Sequence, residues 1–215
     1  MGRIFDWVDK RFSLSTPHKN FLQRGVPAGL SYLYCLGGIA FTLVILLVLT
    51  GMMLSMYYVP SEAEAFQSVL RITREVRLGA LIRGIHKWSA NLLILFILLH
   101  TLRVFLHKAY RPPRELNWVA GALTLVLTLS SGFTGYLLPW NQKAYWATVV
   151  STNMVSTVPL IGRQLLYLVR GGLEIDGTTL VRFYSLHVLW LPLAMGLMLW
   201  AHFHMVKRQG ISGGL

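Results

Sequence analysis

Four of the seven histidines in this 215-residue chain, His86, His100, His187 and His202, lie in stretches apolar enough to sit at membrane depth. An ionisable side chain there is expensive unless it is paired or ligated, so these four are the first candidates for chemistry. His86 and His100 are 14 residues apart, which on an α-helix is a rise of about 21 Å and a rotation only ~40° short of four turns. The two therefore share one helix face at different depths. His187 and His202 are 15 apart, a rise of about 22 Å with a rotational offset of roughly +60°. Pro192 lies between them, and a kink there absorbs the discrepancy.

The elements that carry these residues follow from composition. The chain is 54% hydrophobic and 13% charged, where a soluble domain carries about a quarter charged residues. It reads as an all-α integral membrane protein. A bilayer core needs roughly 20 apolar residues per helix. Residues 25–61, 116–142 and 183–206 contain no Asp, Glu, Lys or Arg. A further span is partly masked by Arg83, Lys87 and Arg103, which sit near its ends and can snorkel. Four transmembrane helices are expected, over 31–57, 79–107, 116–138 and 180–206. Residues 139–178, rich in Ser, Thr and Asn, read as a loop with short surface helices. Residues 1–24 mix Arg3, Lys10 and Arg11 with Ile4, Phe5, Val8 and Phe12 and lack the core of a secretory signal, so they read as an amphipathic surface helix.

The net charge of +12 belongs at the membrane surface in so apolar a chain, and nucleic acid is not an expected partner. One cysteine, Cys35, excludes an internal disulfide, a cysteine-rich zinc cluster and a Cys-X-X-Cys-His haem attachment motif. Eleven of the 20 Lys and Arg residues fall on the side shared by both termini, which leans toward cytoplasmic termini.

With four spans alternating in direction, the second and fourth run parallel. His86 then faces His187 near the outer surface, and His100 faces His202 near the inner one. Neutral imidazole is a strong iron ligand, and a porphyrin held between two axial histidines fits a four-helix bundle. The expected architecture is thus a four-helix bundle enclosing two stacked b haems. A lone buried histidine is usually structural; two pairs in matched register argue for ligation. Gly37 and Gly51 on the first span are 14 apart, as are Gly121 and Gly135 on the third. Glycine permits close approach to a flat macrocycle, although it also serves plain helix packing. Gly37 and Gly121 would flank the inner haem, Gly51 and Gly135 the outer one. Arg83 and Arg103 each lie three residues from a ligand histidine, where a guanidinium can pair with a propionate or snorkel to lipid phosphate. His18, His107 and His204 fall off the ligand faces and read as interfacial.

These residues resemble the cytochrome b6 family, the haem-bearing subunits of cytochrome b6f and of related bacterial split-cytochrome-b (Rieske/cytochrome b) quinol oxidoreductases. The resemblance runs nearly end to end. It includes Tyr34-Cys35-Leu36-Gly37-Gly38, Arg83-Gly84-Ile85-His86-Lys87-Trp88-Ser89-Ala90, Pro113-Arg114-Glu115-Leu116, Gly135-Tyr136-Leu137-Leu138-Pro139-Trp140 and Lys207-Arg208-Gln209-Gly210-Ile211-Ser212-Gly213. It implies electron transfer from a quinol oxidised at the outer side, through two bis-histidine b haems, to a quinone site at the cytoplasmic side, conserving a proton-motive force. It also implies partners: a subunit-IV-like chain, a Rieske iron–sulfur protein, and a c-type cytochrome or plastocyanin-type acceptor, in a dimeric complex embedded in lipid. The Pro-Glu-Trp-Tyr run of the oxidation site is absent here and belongs in this family to the partner subunit, so no complete catalytic site is expected in the chain. A cysteine at the position of Cys35 anchors a third, covalent c-type haem in this family, and Arg114 and Lys207 would lie near its propionates or a quinone. Asn141 stands where photosynthetic members usually carry aspartate. That, with Met-Tyr-Tyr-Val-Pro at 56–60, leans toward a bacterial plasma membrane rather than a thylakoid.

Two other readings remain open from the residues. One is the dihaem b membrane anchor of a hydrogenase or formate dehydrogenase, which would call for neither Cys35 nor the Pro-Arg-Glu-Leu turn. The other is a structural membrane subunit or transporter whose histidines relay protons, and which would be colourless.

Overall fold

The computed structural model describes Asp6, Trp7 and residues 32–210. The amphipathic helix expected over 1–24 lies outside the described residues apart from those two, as does His18. A 3-10 turn, Tyr32–Cys35, leads into α1, Leu36–Ser55. Then come α2, Ala65–Arg74; α3, Gly79–Leu106; and α4, Glu115–Leu137. The connection that follows holds α5, Gln142–Ser156, and α6, Gly162–Arg170. A last long helix is built from α7, Gly177–Ser185, a π-helical turn, Leu186–Trp190, and α8, Leu191–Gln209.

Four stretches are long and apolar enough to cross a membrane: Tyr32–Ser55, Gly79–Leu106, Glu115–Leu137 and Gly177–Gln209. Between 6% and 22% of their most apolar windows is buried within the chain. Leu92, Leu95, Leu99 and Leu102 are among the large apolar side chains left exposed on α3. In water that surface would be untenable; in lipid no driving force asks for its burial.

Local signals explain the ends. Asn141 caps α5, its side chain accepting from Ala144 N at 2.9 Å, and aspartate caps equally well. Asp176 opens α7 with a capping box, accepting from the amides of Thr178 and Thr179. Gly171 ends α6 with φ 92°, a conformation other residues adopt at a cost. Trp140, between α4 and α5, holds φ 47° without being glycine, a strained backbone of the kind that clusters at functional loops.

Two elements differ from the sequence reading. The stretch between the first two spans contains α2, which the search for uncharged runs passes over because Arg71 and Arg74 lie in it. Its signal is amphipathic spacing: Ala65, Ser68 and Ile72 form its buried face. The fourth span carries its irregularity before Pro192 rather than at it. Proline has no N–H to offer the carbonyl four residues back, Val188, and its ring crowds that carbonyl. The helix widens there into the π turn.

The chain divides into two compact units, and each long helix contributes a part to both. In one unit, Leu43–Asn91 and Leu129–Leu193, the core is Ala65, Leu137, Ala144, Leu180 and Phe183, with Tyr58, Phe133 and Trp140 packed against it. Buried Arg170 ties α5, α6 and the turn after them. Its Nε donates to Thr152 Oγ1 at 2.7 Å, Nη1 to Leu173 O at 2.7 Å, and Nη2 to Asn153 Oδ1 at 2.8 Å and Val149 O at 3.2 Å. The other unit, described over 32–42, 92–128 and 194–210, includes Phe41 edge-on to Phe203 at 4.8 Å. There Gln209 Nε2 donates to Pro113 O at 3.0 Å and Arg114 Nη2 to Gln209 O at 3.2 Å.

Candidate functional site

Of the four histidines, His86 and His187 lie in one unit and His100 and His202 in the other. The rings of His86 and His187 are 6.3 Å apart, centroid to centroid, and inclined at 73°. Two metal–imidazole bonds of about 2 Å, with about 1 Å from each ring centre to its nitrogen, span about 6 Å. The separation therefore suits one metal atom shared by the two rings. His100 lies within electrostatic range of His202.

A ligand imidazole is oriented by what its other nitrogen bonds. Nδ1 of His86 lies 2.9 Å from Thr50 Oγ1, and Nδ1 of His187 lies 2.9 Å from Ser131 O and 3.4 Å from Thr134 Oγ1. Nδ1 of His202 lies 3.3 Å from Asn117 O. A carbonyl accepts only, so His187 and His202 carry their proton on Nδ1 and present Nε2 as a lone pair.

Each of the four 14-spaced glycines stands against a different one of these rings. A methyl group would meet Cε1 of His187 at 2.5 Å from Gly135, of His100 at 3.0 Å from Gly37, of His86 at 3.3 Å from Gly51, and of His202 at 3.5 Å from Gly121. Gly38, Gly84 and Gly196 have nothing within 4 Å of such a methyl. The glycine spacing is thus tied to the histidine pairs.

The π turn accounts for the spacing of 15 against 14. One π turn accommodates one residue more than an α turn, so the 15 residues from His187 to His202 carry about the phase of 14 α-helical ones. The roughly +60° excess becomes about the same −40° that relates His86 to His100.

The charged candidates divide. Arg103 is buried, its guanidinium 3.6 Å from the centroid of the Tyr34 ring, and its Nε and Nη2 have no hydrogen-bond partner among the described residues. A buried guanidinium with two open donors is a site for an anion, and a porphyrin propionate answers that need. Arg83 donates to Thr73 Oγ1 at 3.4 Å, and Arg114 is engaged with Gln209. Burial, aided by Arg103, holds the Arg114 pKa below its ordinary value. Cys35 is exposed and adjoins Tyr34, whose ring also meets His107 edge-on at 6.0 Å. Among the described residues no cluster of three or more His, Cys, Asp or Glu forms a metal site; an axial pair needs only two ligands. The paired imidazoles, the anchored Nδ1 atoms of His86, His187 and His202, the glycine clearances and the open Arg103 donors together fit haem. Thr50, Ser131, Thr134 and Asn117 are the site residues that sequence reasoning missed. Part of the signal was there, since Thr50 and Thr134 each immediately precede a glycine that faces a histidine.

Comparison with known proteins agrees. The Cytochrome b/b6/petB family model matches residues 21–210. Cytochrome b6 of Oltmannsiellopsis viridis is 44% identical over 215 residues, covering 100% of both chains. Those of Gracilaria tenuistipitata var. liui and Euglena gracilis are 42% and 44% identical over the same full length. A solved chain described as hyperthermophilic respiratory Complex III superposes with a TM-score of 0.83 at 30% identity, over 97% of this chain and 56% of that one.

Proposed function

The chain belongs to the cytochrome b/b6 family, and from that premise we propose which of its residues hold each haem and how they serve quinol oxidation. It is a multi-pass membrane protein, the transmembrane electron-transfer subunit of a quinol oxidoreductase. Membership also implies b-type haem.

The outer haem is held by His86 and His187, the inner one by His100 and His202. The 6.3 Å separation of the His86 and His187 rings carries this reading. When bound, haem supplies a one-electron ferric/ferrous couple at each depth, which gives an electron a route through the membrane. The protein's work is to orient and hold. Ser131 and Asn117 fix the tautomers of His187 and His202, Gly51 and Gly135 leave room near the outer pair, and Gly37 and Gly121 near the inner pair. Arg103 binds a propionate of the inner haem, and Arg83 is placed for one of the outer haem. Moving each charge inward against the potential stores about 2.3 kcal/mol per 100 mV.

Cys35 anchors a third, c-type haem through one thioether, with Arg114 and Lys207 near its propionates or a quinone. Quinol oxidation takes place at the outer side. This chain contributes α4 and the 139–160 connection, with the strained Trp140 near its start, while a subunit-IV-like chain supplies the rest and accepts the quinol protons. A Rieske protein takes the other electron and passes it to a c-type cytochrome, in a dimeric complex of a bacterial plasma membrane with both termini cytoplasmic. The test is a redox-poised visible spectrum of the purified complex. Two b-type couples of different potential are expected, and quinol:cytochrome c turnover only when the partners are present. A colourless chain, or full inhibitor-sensitive turnover by this chain alone, refutes the reading.

A further inference from the structure

The hydroxyl of Thr50 is 2.6 Å from the Leu46 carbonyl, 3.3 Å from that of Leu47 and 2.9 Å from Nδ1 of His86. A hydroxyl has one proton and two lone pairs. At 2.6 Å the hydroxyl proton is directed at Leu46 O, the usual back-bond of a helical threonine. What Thr50 presents to His86 is then a lone pair, and only a protonated Nδ1 satisfies it. Thr134 repeats the arrangement at longer range on α4, donating to Ser130 O at 2.9 Å while standing 3.4 Å from His187 Nδ1. Thr42, Thr101, Thr124 and Thr128 make the same back-bond to the carbonyl four residues earlier. Among the described residues, Thr50 and Thr134 are the helical threonines also hydrogen-bonded to a histidine.

We propose that Thr50 is a positioning and tuning residue for the outer redox centre. Its hydroxyl, polarised by donating to Leu46, accepts from His86 Nδ1–H, fixes the tautomer that presents Nε2 to iron, and raises the donor strength of that nitrogen. The inference rests on the assignment of His86 and His187 to the outer haem. An acceptor behind a ligand histidine makes it a more basic ligand. A more basic ligand favours the ferric state and lowers the potential. Thr50 is buried and acts from α1, a helix that contributes no histidine.

The test is a redox titration of both b haems in the assembled complex carrying Thr50→Ser, Thr50→Cys or Thr50→Val. Serine keeps the acceptor and leaves the outer midpoint at its wild-type value. Valine, isosteric but without an acceptor, raises the outer midpoint alone. At a fixed ambient potential its reduced:oxidised ratio rises about threefold or more, and cysteine, a weak acceptor, falls between. An unchanged outer midpoint in Thr50→Val with both haems present, or an equal shift in Thr50→Ser, overturns the proposal. Where Thr50→Val fails to retain haem, the Ser–Cys comparison carries the same decision. In the wild-type complex, electron–nuclear double resonance of the ferric outer haem should find an exchangeable Nδ1 proton on His86; an imidazolate there also overturns it. A spectrum that keeps both haems in His86→Ala would instead refute the haem assignment itself.

Discussion

A methyl group on Gly135 would lie 2.5 Å from Cε1 of His187, 3.0 Å from its Nδ1 and 3.1 Å from its Nε2. Real side chains do not approach so closely, and the obstacle is not the loose end of a flexible chain. The ring of His187 is held by Ser131 O at 2.9 Å, so a side chain at 135 must displace that ring or the helix that carries it.

The four clearances therefore rank four substitutions. Gly135→Ala should cost most, with loss of the outer haem or about 1–3 kcal/mol of stability, the usual penalty of overpacking. Gly37→Ala, at 3.0 Å from His100 Cε1, should weaken the inner haem less, and Gly51→Ala, at 3.3 Å, less again. Gly121→Ala, at 3.5 Å, is ordinary contact and should keep both haems. Pyridine haemochrome content per chain, followed through a thermal ramp, gives the order. A uniform response of all four, or greatest sensitivity at Gly121, would contradict the geometry.

Histidine pairing makes a separate claim. His86→Ala and His187→Ala should each remove the same haem, as should His100→Ala and His202→Ala the other. The difference spectrum should fall from two haems to one in every case. Loss of different haems within a pair would break the pairing.

Much of this site was legible in sequence because helical periodicity is simple arithmetic: a spacing of 14 returns His100 to the face of His86. Glycines repeating the same interval gave a second signal of the same kind. The π turn was not legible, because an added residue within a turn has no sequence mark of its own; only the +60° excess and Pro192 hinted at it. Thr50 and Thr134 were missed because a threonine in an apolar span satisfies itself on its own helix, and only their place before Gly51 and Gly135 marks them among the other threonines. The helix α2 was missed for another reason. A search for uncharged runs cannot see a short helix whose outer face carries Arg71 and Arg74.

Arg170 should prove the structural anchor of the α5–α6 connection. Its four hydrogen bonds go to neutral acceptors on Thr152, Asn153, Val149 and Leu173, and bonds to a charged donor contribute about 1.5–3 kcal/mol apiece, not additively. Arg170→Ala should destabilise the complex by about 3 kcal/mol or more and impair quinol oxidation before it affects haem content. Thermal inactivation of turnover, compared with thermal loss of the haem bands, separates the two. Wild-type behaviour of Arg170→Ala would rule this role out.

Tyr58 donates to Leu138 O at 2.7 Å and stacks on Tyr184 at 5.4 Å. Burial, and then Tyr184, push its phenol pKa up. A native pKa above the unfolded value of about 10 means that its contribution is fully present below that pH and is lost as pH rises through the shifted value. Tyr58→Phe should cost about 1 kcal/mol near neutrality and flatten the alkaline part of the stability curve. Parallel curves for the two proteins above pH ~10 would contradict this.

Cys35 offers the sharpest chemical test. It is exposed, on the 3-10 turn that opens the first span, next to the Tyr34 ring over which the open guanidinium of Arg103 is stacked. No Cys-X-X-Cys-His motif supplies a second thioether or a linked axial histidine, so a haem attached here would hang on one bond. Without a strong protein ligand on the same helix, its iron should be high-spin and open to exogenous ligands. Denaturing electrophoresis strips non-covalent b haems, and a haem stain should then still mark a band near the chain's 24.3 kDa. Cys35→Ser should abolish that stain while leaving both b-type bands in the native spectrum. An unstained wild-type band would return Cys35 to a plain helix-end residue and reduce the protein to two haems.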